Sequence, residues 1–339
     1  MEIPTKEKIR GVVYAYSPLE RWDLVRELGT DWIRLNVPFP WADEIGGGVS
    51  PRWEAVKAKI LSAHDAGLKV MPSTPTIFGY PEAICGRIGT PAFFKNVRRA
   101  TAFMAEDLGD AAPLLWQCMN ELDIPTFSGN IPTDICIEAC RESARGVLDV
   151  NPGALCGTNF ASWREESRRI GEKLFRGDHP FGYVGDDQYF GSWQGGSVED
   201  WPGVLDGMWD AFGMPILVNE WGYSSGGATL TPEELGNCPD NAEGLEPVCY
   251  HHAWCHEMPG GHNEDVQAAY MARGLEIFAA HPHVMGNFMF CFSDAVTCWH
   301  CHHENCPAEC YWGLCDVNCV PKKAYYAARD AIRRLYIGR

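Results

Sequence analysis

The chain has 339 residues, 46% of them hydrophobic and 12% aromatic, enough to bury a large core in one or two domains. Lys and Arg number 28 against 45 Asp and Glu, a formal charge of −17 at pH 7 that disfavours nucleic acid and anionic membrane surfaces as partners. The opening MEIPTKEKIRG has no apolar leader core, and no apolar run reaches the ~18 residues of a spanning helix, so the sequence as given reads as cytoplasmic, or exported if a signal has been removed.

Short β-type runs alternate with longer helical patterns along the chain. The runs fall at 10–16 (RGVVYAY), 31–38 (DWIRLNVP), 68–74 (LKVMPST), 113–121 (PLLWQCMNE), 154–160 (ALCGTNF), 182–190 (GYVGDDQYF), 214–220 (MPILVNE) and 284–292 (VMGNFMFCF). Between them lie segments such as PRWEAVKAKILSAHDAG and FFKNVRRATAFMAEDLG, whose apolar residues recur at three and four positions and which end in Gly. Strands apolar on both faces, each followed by an amphipathic helix, predict a parallel sheet, and eight such pairs predict a single (β/α)8 TIM barrel over residues 1–339. The length beyond a bare barrel of about 250 residues falls mainly in two insertions, 222–262 after the seventh strand and 293–320 after the eighth. Both follow strand C-termini and are expected on the catalytic face.

Catalytic groups of such barrels lie where strands end and loops begin. Glu121, in WQCMNELD, is expected to close the fourth strand, and Glu220, in MPILVNEWG, the seventh. A lone strand-end Glu is as readily a solvated or salt-bridged residue. Two of them, each after an apolar strand and each preceded by Asn, suit glycosidic bond cleavage, in which one carboxyl protonates the leaving oxygen and one carboxylate attacks the anomeric carbon. For a retaining enzyme the expected carboxyl separation is about 5–5.5 Å.

With those motifs in place the sequence resembles the clan A retaining glycoside hydrolases, the superfamily that includes families 5, 39 and 42. NEL at 120–122 is similar to that group's acid/base motif, NEWG at 219–222 to its nucleophile motif, IRLNVPFPW at 33–41 to its second strand, and FSD at 292–294 with YWGLCDVNCVPKKAYYAARD to its closing strand and last helix. The resemblance implies Glu121 as acid/base, Glu220 as nucleophile, Asn120 as a contact to the sugar 2-hydroxyl, and Arg34 and Tyr189 as supports of the nucleophile. It also shows two departures at the sugar-binding subsite: Asp187 stands where many members have His, and Phe290 where many have a Trp floor. A carbohydrate is the implied partner, and no cofactor is required for catalysis. The other readings are a sugar-binding barrel without catalysis and a metal-dependent barrel hydrolase. The second of these typically carries an HxH near the first strand, which RGVVYAYS lacks.

Aromatic planes suit pyranose faces, and Trp41, Trp193 and Trp221, following strands two, six and seven, are the candidates for stacking. Trp22 and Trp53 sit in helical patterns and read as core. The 15 cysteines divide unevenly. Cys118, Cys156 and Cys291 read as buried strand thiols, and Cys136 and Cys140 share a helix face. Cys238, Cys249, Cys255, Cys298, Cys301, Cys306, Cys310, Cys315 and Cys319 crowd the insertions. For the loop group, disulfides, a structural zinc and free thiols all remain open. The zinc reading uses Cys298-x-x-Cys301 with His252-x-x-Cys255. The stretch HEMPGGH at 256–262 imitates a metalloprotease motif, but Pro259 and two glycines break the helix that motif needs.

Overall fold

A computed structural model describes residues 3–17, 19–237 and 245–338, so Cys238 lies outside the described residues. The barrel strands are β1 (Ile9–Val13), β2 (Trp32–Asn36), β3 (Lys69–Ser73), β4 (Leu115–Gln117), β5 (Leu155–Phe160), β6 (Tyr183–Gln188), β7 (Ile216–Trp221) and β8 (Val284–Met289). They form a closed parallel barrel in the order β1-β8-β7-β6-β5-β4-β3-β2, the (β/α)8 architecture that the alternation of strand and helix patterns predicts. The main helices are α1 (Trp22–Leu28), α2 (Pro51–Asp65), α3 (Pro91–Asp107), α4 (Thr133–Val150), α5 (Glu165–Leu174), α6 (Trp201–Phe212), α7 (Glu264–Ala280) and α8 (Lys323–Ile332). Among the described residues no helix is long and apolar enough to cross a membrane.

Helices α2, α3 and α7 begin at side-chain caps. Ser50 and Thr90 accept from the N–H groups of Trp53 and Phe93, each followed by a proline whose missing N–H costs nothing in a first turn. Asn263 accepts from the N–H groups of both Asp265 and Val266 at the start of α7. Trp22 and Trp53 are buried, as their helical spacing predicts.

By contact density the chain forms two compact units. The first comprises Met1–Asp31, Gln188–Gly207 and Val218–Arg339; the second comprises Trp32–Asp187 and Met208–Leu217. Within each, small residues make room for large rings. In the first, β1 pairs β8 with Gly11 opposite Phe288, and a Cβ on Gly11 would stand 2.2 Å from that ring. In the second, Gly157 of β5 lies opposite Tyr183 of β6, and a Cβ there would stand 2.4 Å from the ring. Any side chain at either glycine would displace an aromatic from a close-packed interior.

Most strand ends differ by a few residues from expectation, and three of them bear on the site. β4 stops at Gln117 rather than at 121, because Met119 and Glu121 adopt left-handed backbone, φ 62° and 43°, which no ladder accommodates. Glu121 therefore sits four residues past the strand, in the loop. β6 ends at Gln188, so Tyr189 follows it, and β8 ends at Met289, just before Phe290.

The insertions pack on one another within the first unit. Ala228–Thr229 and Ala253–Trp254 form a two-stranded ribbon. Ser225 binds the Tyr311 carbonyl through both its N–H and its hydroxyl, at 2.9 and 3.0 Å. The segment HEMPGGH is not helical, and its His262 faces the carbonyls of Ser224 and His256 while stacking on Tyr223 at 4.6 Å.

Candidate active site

In the second unit the carboxyl ends of β2, β4 and β5 converge on the side-chain oxygen of Asn120. That oxygen accepts three donors: Arg34 Nη2 at 2.9 Å, Gln117 Nε2 at 2.8 Å and Asn159 Nδ2 at 3.0 Å. Arg34 and Gln117 are also joined directly, Nε to Oε1 at 2.7 Å, and the two are 1% and 0% exposed. With its oxygen occupied three times, Asn120 has its amide orientation fixed, and among the described residues its two N–H donors bind nothing. They are available to a hydroxyl.

Glu121, 8% exposed, follows in left-handed backbone held on both sides. Its N–H donates to Asn159 Oδ1 at 3.2 Å, and the Met119 N–H donates to Thr74 Oγ1 at 2.9 Å. For a residue with a Cβ this conformation costs on the order of 1 kcal/mol, strain of the kind that clusters at functional positions. Asp187, fully buried at the end of β6, accepts from Asn159 Nδ2. Its neighbour Asp186 is equally buried, and neither of its oxygens has a hydrogen-bond partner. Burial first, and then the Asp123 carboxylate, hold the Asp186 carboxyl well above the usual range.

In the first unit Glu220 lies on β7, 9% exposed, and accepts a hydrogen bond from the Tyr189 hydroxyl. Tyr189 is set by rings, with Trp312 at 4.8 Å and Phe290 at 5.8 Å, both edge-on. Trp312, 1% exposed, is itself fixed by donating Nε1 to the Ala308 carbonyl at 2.7 Å. A second carboxyl acts on the same neighbourhood. Glu309, 8% exposed on the one-turn helix Pro307–Cys310, accepts from the Tyr16 hydroxyl. Burial pushes Glu309 up to about 7; its bonds from Tyr16 and Trp299 pull down, and the charge of Glu220 pushes up again.

The expected sugar-stacking tryptophans do not share one role. Neighbouring strand residues face opposite sides of a sheet, so with Glu220 towards Tyr189, Trp221 must point the other way. Trp221 is fully buried over Gly274 of α7, donates to Asn287 Oδ1 at 3.0 Å and packs on Phe278 at 4.9 Å. Trp41, 5% exposed, lies against Phe39 and Phe103. Both are core. Trp193 is half-buried and meets Trp254 at 4.8 Å.

No disulfide joins the 14 described cysteines, and Cys118, Cys156, Cys136, Cys140 and Cys291 are buried as their positions predict. Four sulfurs converge in the insertions, those of Cys249, Cys298, Cys301 and Cys306. Cys255 and His252 lie outside that group; the His252 ring faces His303 at 5.1 Å. Sequence spacing did not single out Gln117, Asn159, Tyr16, Glu309 or Trp312. The one signal for the first two was an amide at the carboxyl end of an apolar strand.

These observations define the class: a (β/α)8 barrel with buried carboxylates and fixed amides at the carboxyl ends of its strands. No protein-family model matches the chain, and no curated protein does. Among solved structures it is similar to the family 53 glycoside hydrolase catalytic domain of Ignisphaera aggregans, at TM-score 0.65 and 16% identity over 97% of this chain and 98% of that one. It is also similar to a family 39 glycoside hydrolase of Bacteroides cellulosilyticus WH2, at 0.66 and 16% over 97% of this chain and 64% of that one. A third is a family 2 β-galacturonidase of Eisenbergiella tayi, at 0.62 and 14%; the match covers 97% of this chain but only 51% of the galacturonidase. At such identities the likeness is one of fold, the (β/α)8 barrel.

Proposed function

We propose that the protein is a retaining β-glycoside hydrolase with Glu220 as nucleophile and Glu121 as acid/base. The observation that carries this reading is Glu220 itself, a carboxylate 9% exposed on β7 and aimed by the Tyr189 hydroxyl. Supporting it, Glu121 follows an Asn120 whose amide N–H groups are left for a sugar 2-hydroxyl. In the first step a Glu220 oxygen bonds to the anomeric carbon as the glycosidic C–O bond breaks, and the Glu121 proton goes to the leaving oxygen. In the second, water gives a proton to Glu121 and its oxygen replaces the Glu220 ester at that carbon, which releases the sugar and restores both carboxyls. The chemistry needs no metal or cofactor.

The long insertions after β7 and β8 favour chain ends or small β-glycosides over polysaccharide interiors, since walls at a barrel mouth shorten a groove to a pocket. The experiment is a panel of aryl β-glycosides and β-linked polysaccharides, with the anomer of the first product followed by NMR. Turnover with retention is expected. Inversion would overturn the nucleophile assignment, and binding without turnover would favour the non-catalytic sugar-binding barrel. In Glu121→Gln the loss should be about 10²–10⁴-fold for poor leaving groups and far smaller for the glycosylation step with activated ones.

A further inference from the structure

The insertions hold a cluster that glycoside cleavage does not use. The sulfurs of Cys249, Cys298, Cys301 and Cys306 all lie within 4.8 Å of one another, and Cys249 and Cys306 are 4.0 Å apart. Four ligands at the zinc–sulfur distance of about 2.3 Å, placed at tetrahedral corners, have sulfurs about 3.8 Å apart. Two disulfides would need only two close pairs and give no reason for all four sulfurs to be mutually near. Four sulfurs gathered around one point are instead the arrangement of a tetrahedral thiolate site, which selects zinc or iron.

Backbone N–H groups face two of these sulfurs. Cys298 Sγ accepts from the N–H groups of His300 and Cys301, and Cys306 Sγ accepts from that of Ala308. The loop that carries Cys298 and Cys301 is tightened by Cys298 N–H to the His303 carbonyl at 3.0 Å and His302 N–H to the Cys298 carbonyl at 2.9 Å. Such bonds to ligand atoms orient them and spread the thiolate charge. Cys298 and Cys306 are buried and Cys249 and Cys301 half-buried, so water has little room to take a ligand position.

We propose that Cys249, Cys298, Cys301 and Cys306 bind one zinc ion as a structural tetrathiolate site. Zn²⁺ replaces the four thiol protons, which leave to solvent, and no redox partner is involved. Cys249 comes from the insertion after β7 and the other three from the insertion after β8, so one ion cross-links the two. Cys306 is also the N-cap of the turn that carries Glu309, so the same ion fixes that carboxyl in place. The site stands whether or not the protein cleaves glycosides.

The test is elemental analysis of the protein purified without chelator, with thiol titration in denaturant. One zinc per chain and fifteen reactive thiols are expected once the metal is displaced by a mercurial. Cobalt exchanged for zinc should give the charge-transfer and ligand-field spectrum of tetrahedral thiolate. Cys249→Ser and Cys298→Ser should each lose the metal on gel filtration, whereas Cys255→Ser should keep it. Metal-free protein with fifteen free thiols overturns the site, and so does metal-free protein with fewer thiols, which means disulfides. Iron in place of zinc, seen by colour and analysis, overturns the metal assignment. Because the wild-type analysis decides these outcomes, variants that fail to fold leave the proposal testable.

Discussion

The two units carry their central groups by opposite means. In the second, Asn120 and Glu121 are held by neutral amides and one guanidinium: Gln117, Asn159 and Arg34 close on a single oxygen with bonds of 2.8–3.0 Å. In the first, Glu220 and Glu309 are held by phenols and surrounded by rings, Tyr189 against Trp312 and Phe290, Tyr16 against Phe290. Amides fix direction and are indifferent to pH. Burial, and then the Glu220 charge, hold the Glu309 carboxyl up at about 7, so this neighbourhood responds to protonation.

The largest expected effect falls on the ring-held group. Glu220→Ala should lower kcat by more than about 10³-fold, with azide restoring part of the turnover of an activated β-glycoside as the α-glycosyl azide. Unimpaired hydrolysis in this variant would remove Glu220 from the chemistry.

Next is a buried ion pair of the first unit. Lys322 Nζ lies 3.0 Å from both Asp294 oxygens, and the two residues are 8% and 9% exposed. It also donates to Ser225 Oγ at 2.8 Å, so the pair ties the insertion after β7 to the start of α8. Lys322→Met leaves the buried carboxylate without its cation, with only the Gly313 N–H at 2.7 Å left to it, and should cost about 3–5 kcal/mol in urea unfolding at pH 8. Burial pushes Asp294 up to about 6 even against Lys322. A carboxyl with a raised folded pKa is protonated in the fold as pH falls, so the deficit of the variant should shrink between pH 8 and 5. A deficit independent of pH would mean that packing and not charge is lost.

Asn120→Ala tests the amide-held half. It strips an acceptor from three buried donors, one of them charged, and should cost about 1–3 kcal/mol of stability with a fall in kcat/KM. Tyr189→Phe is its counterpart: the rings remain and one bond is lost, so kcat should fall about 5–15-fold with little change in melting temperature. If the two variants behave alike, the contrast between the halves is wrong.

The smallest effect is at Asp186, which has no hydrogen-bond partner and a carboxyl held well above the usual range. Such a group holds its proton to higher pH in the fold than in the unfolded chain, which ionises above about pH 4, so its burden on stability grows as pH rises from there. Asp186→Asn should be more stable than the wild type by about 1 kcal/mol at pH 7, and the gap should narrow towards pH 4. Equal pH profiles for both would refute the reading.

The barrel was legible because periodicity is local: the apolar runs and the helical patterns between them are written in consecutive residues. Glu121 and Glu220 were legible for the same reason, each marked by an apolar run that ends in Asn–Glu. Their backbones were not. The left-handed turn that carries Glu121 out of β4 depends on Thr74 and Asn159, 45 and 38 residues from the groups they bind. Trp221 looked like a sugar platform from its neighbour alone, until strand alternation turned it onto α7. Cys298 and Cys301 declare themselves by spacing, whereas Cys249 joins Cys306 from 57 residues away. The sequence by itself determined which elements form and which carboxylates end them, because those depend on neighbours in the chain. Only the tertiary structure decided which amides, rings and thiols meet, because side-chain partners are chosen by packing across strands and loops that sequence distance does not encode.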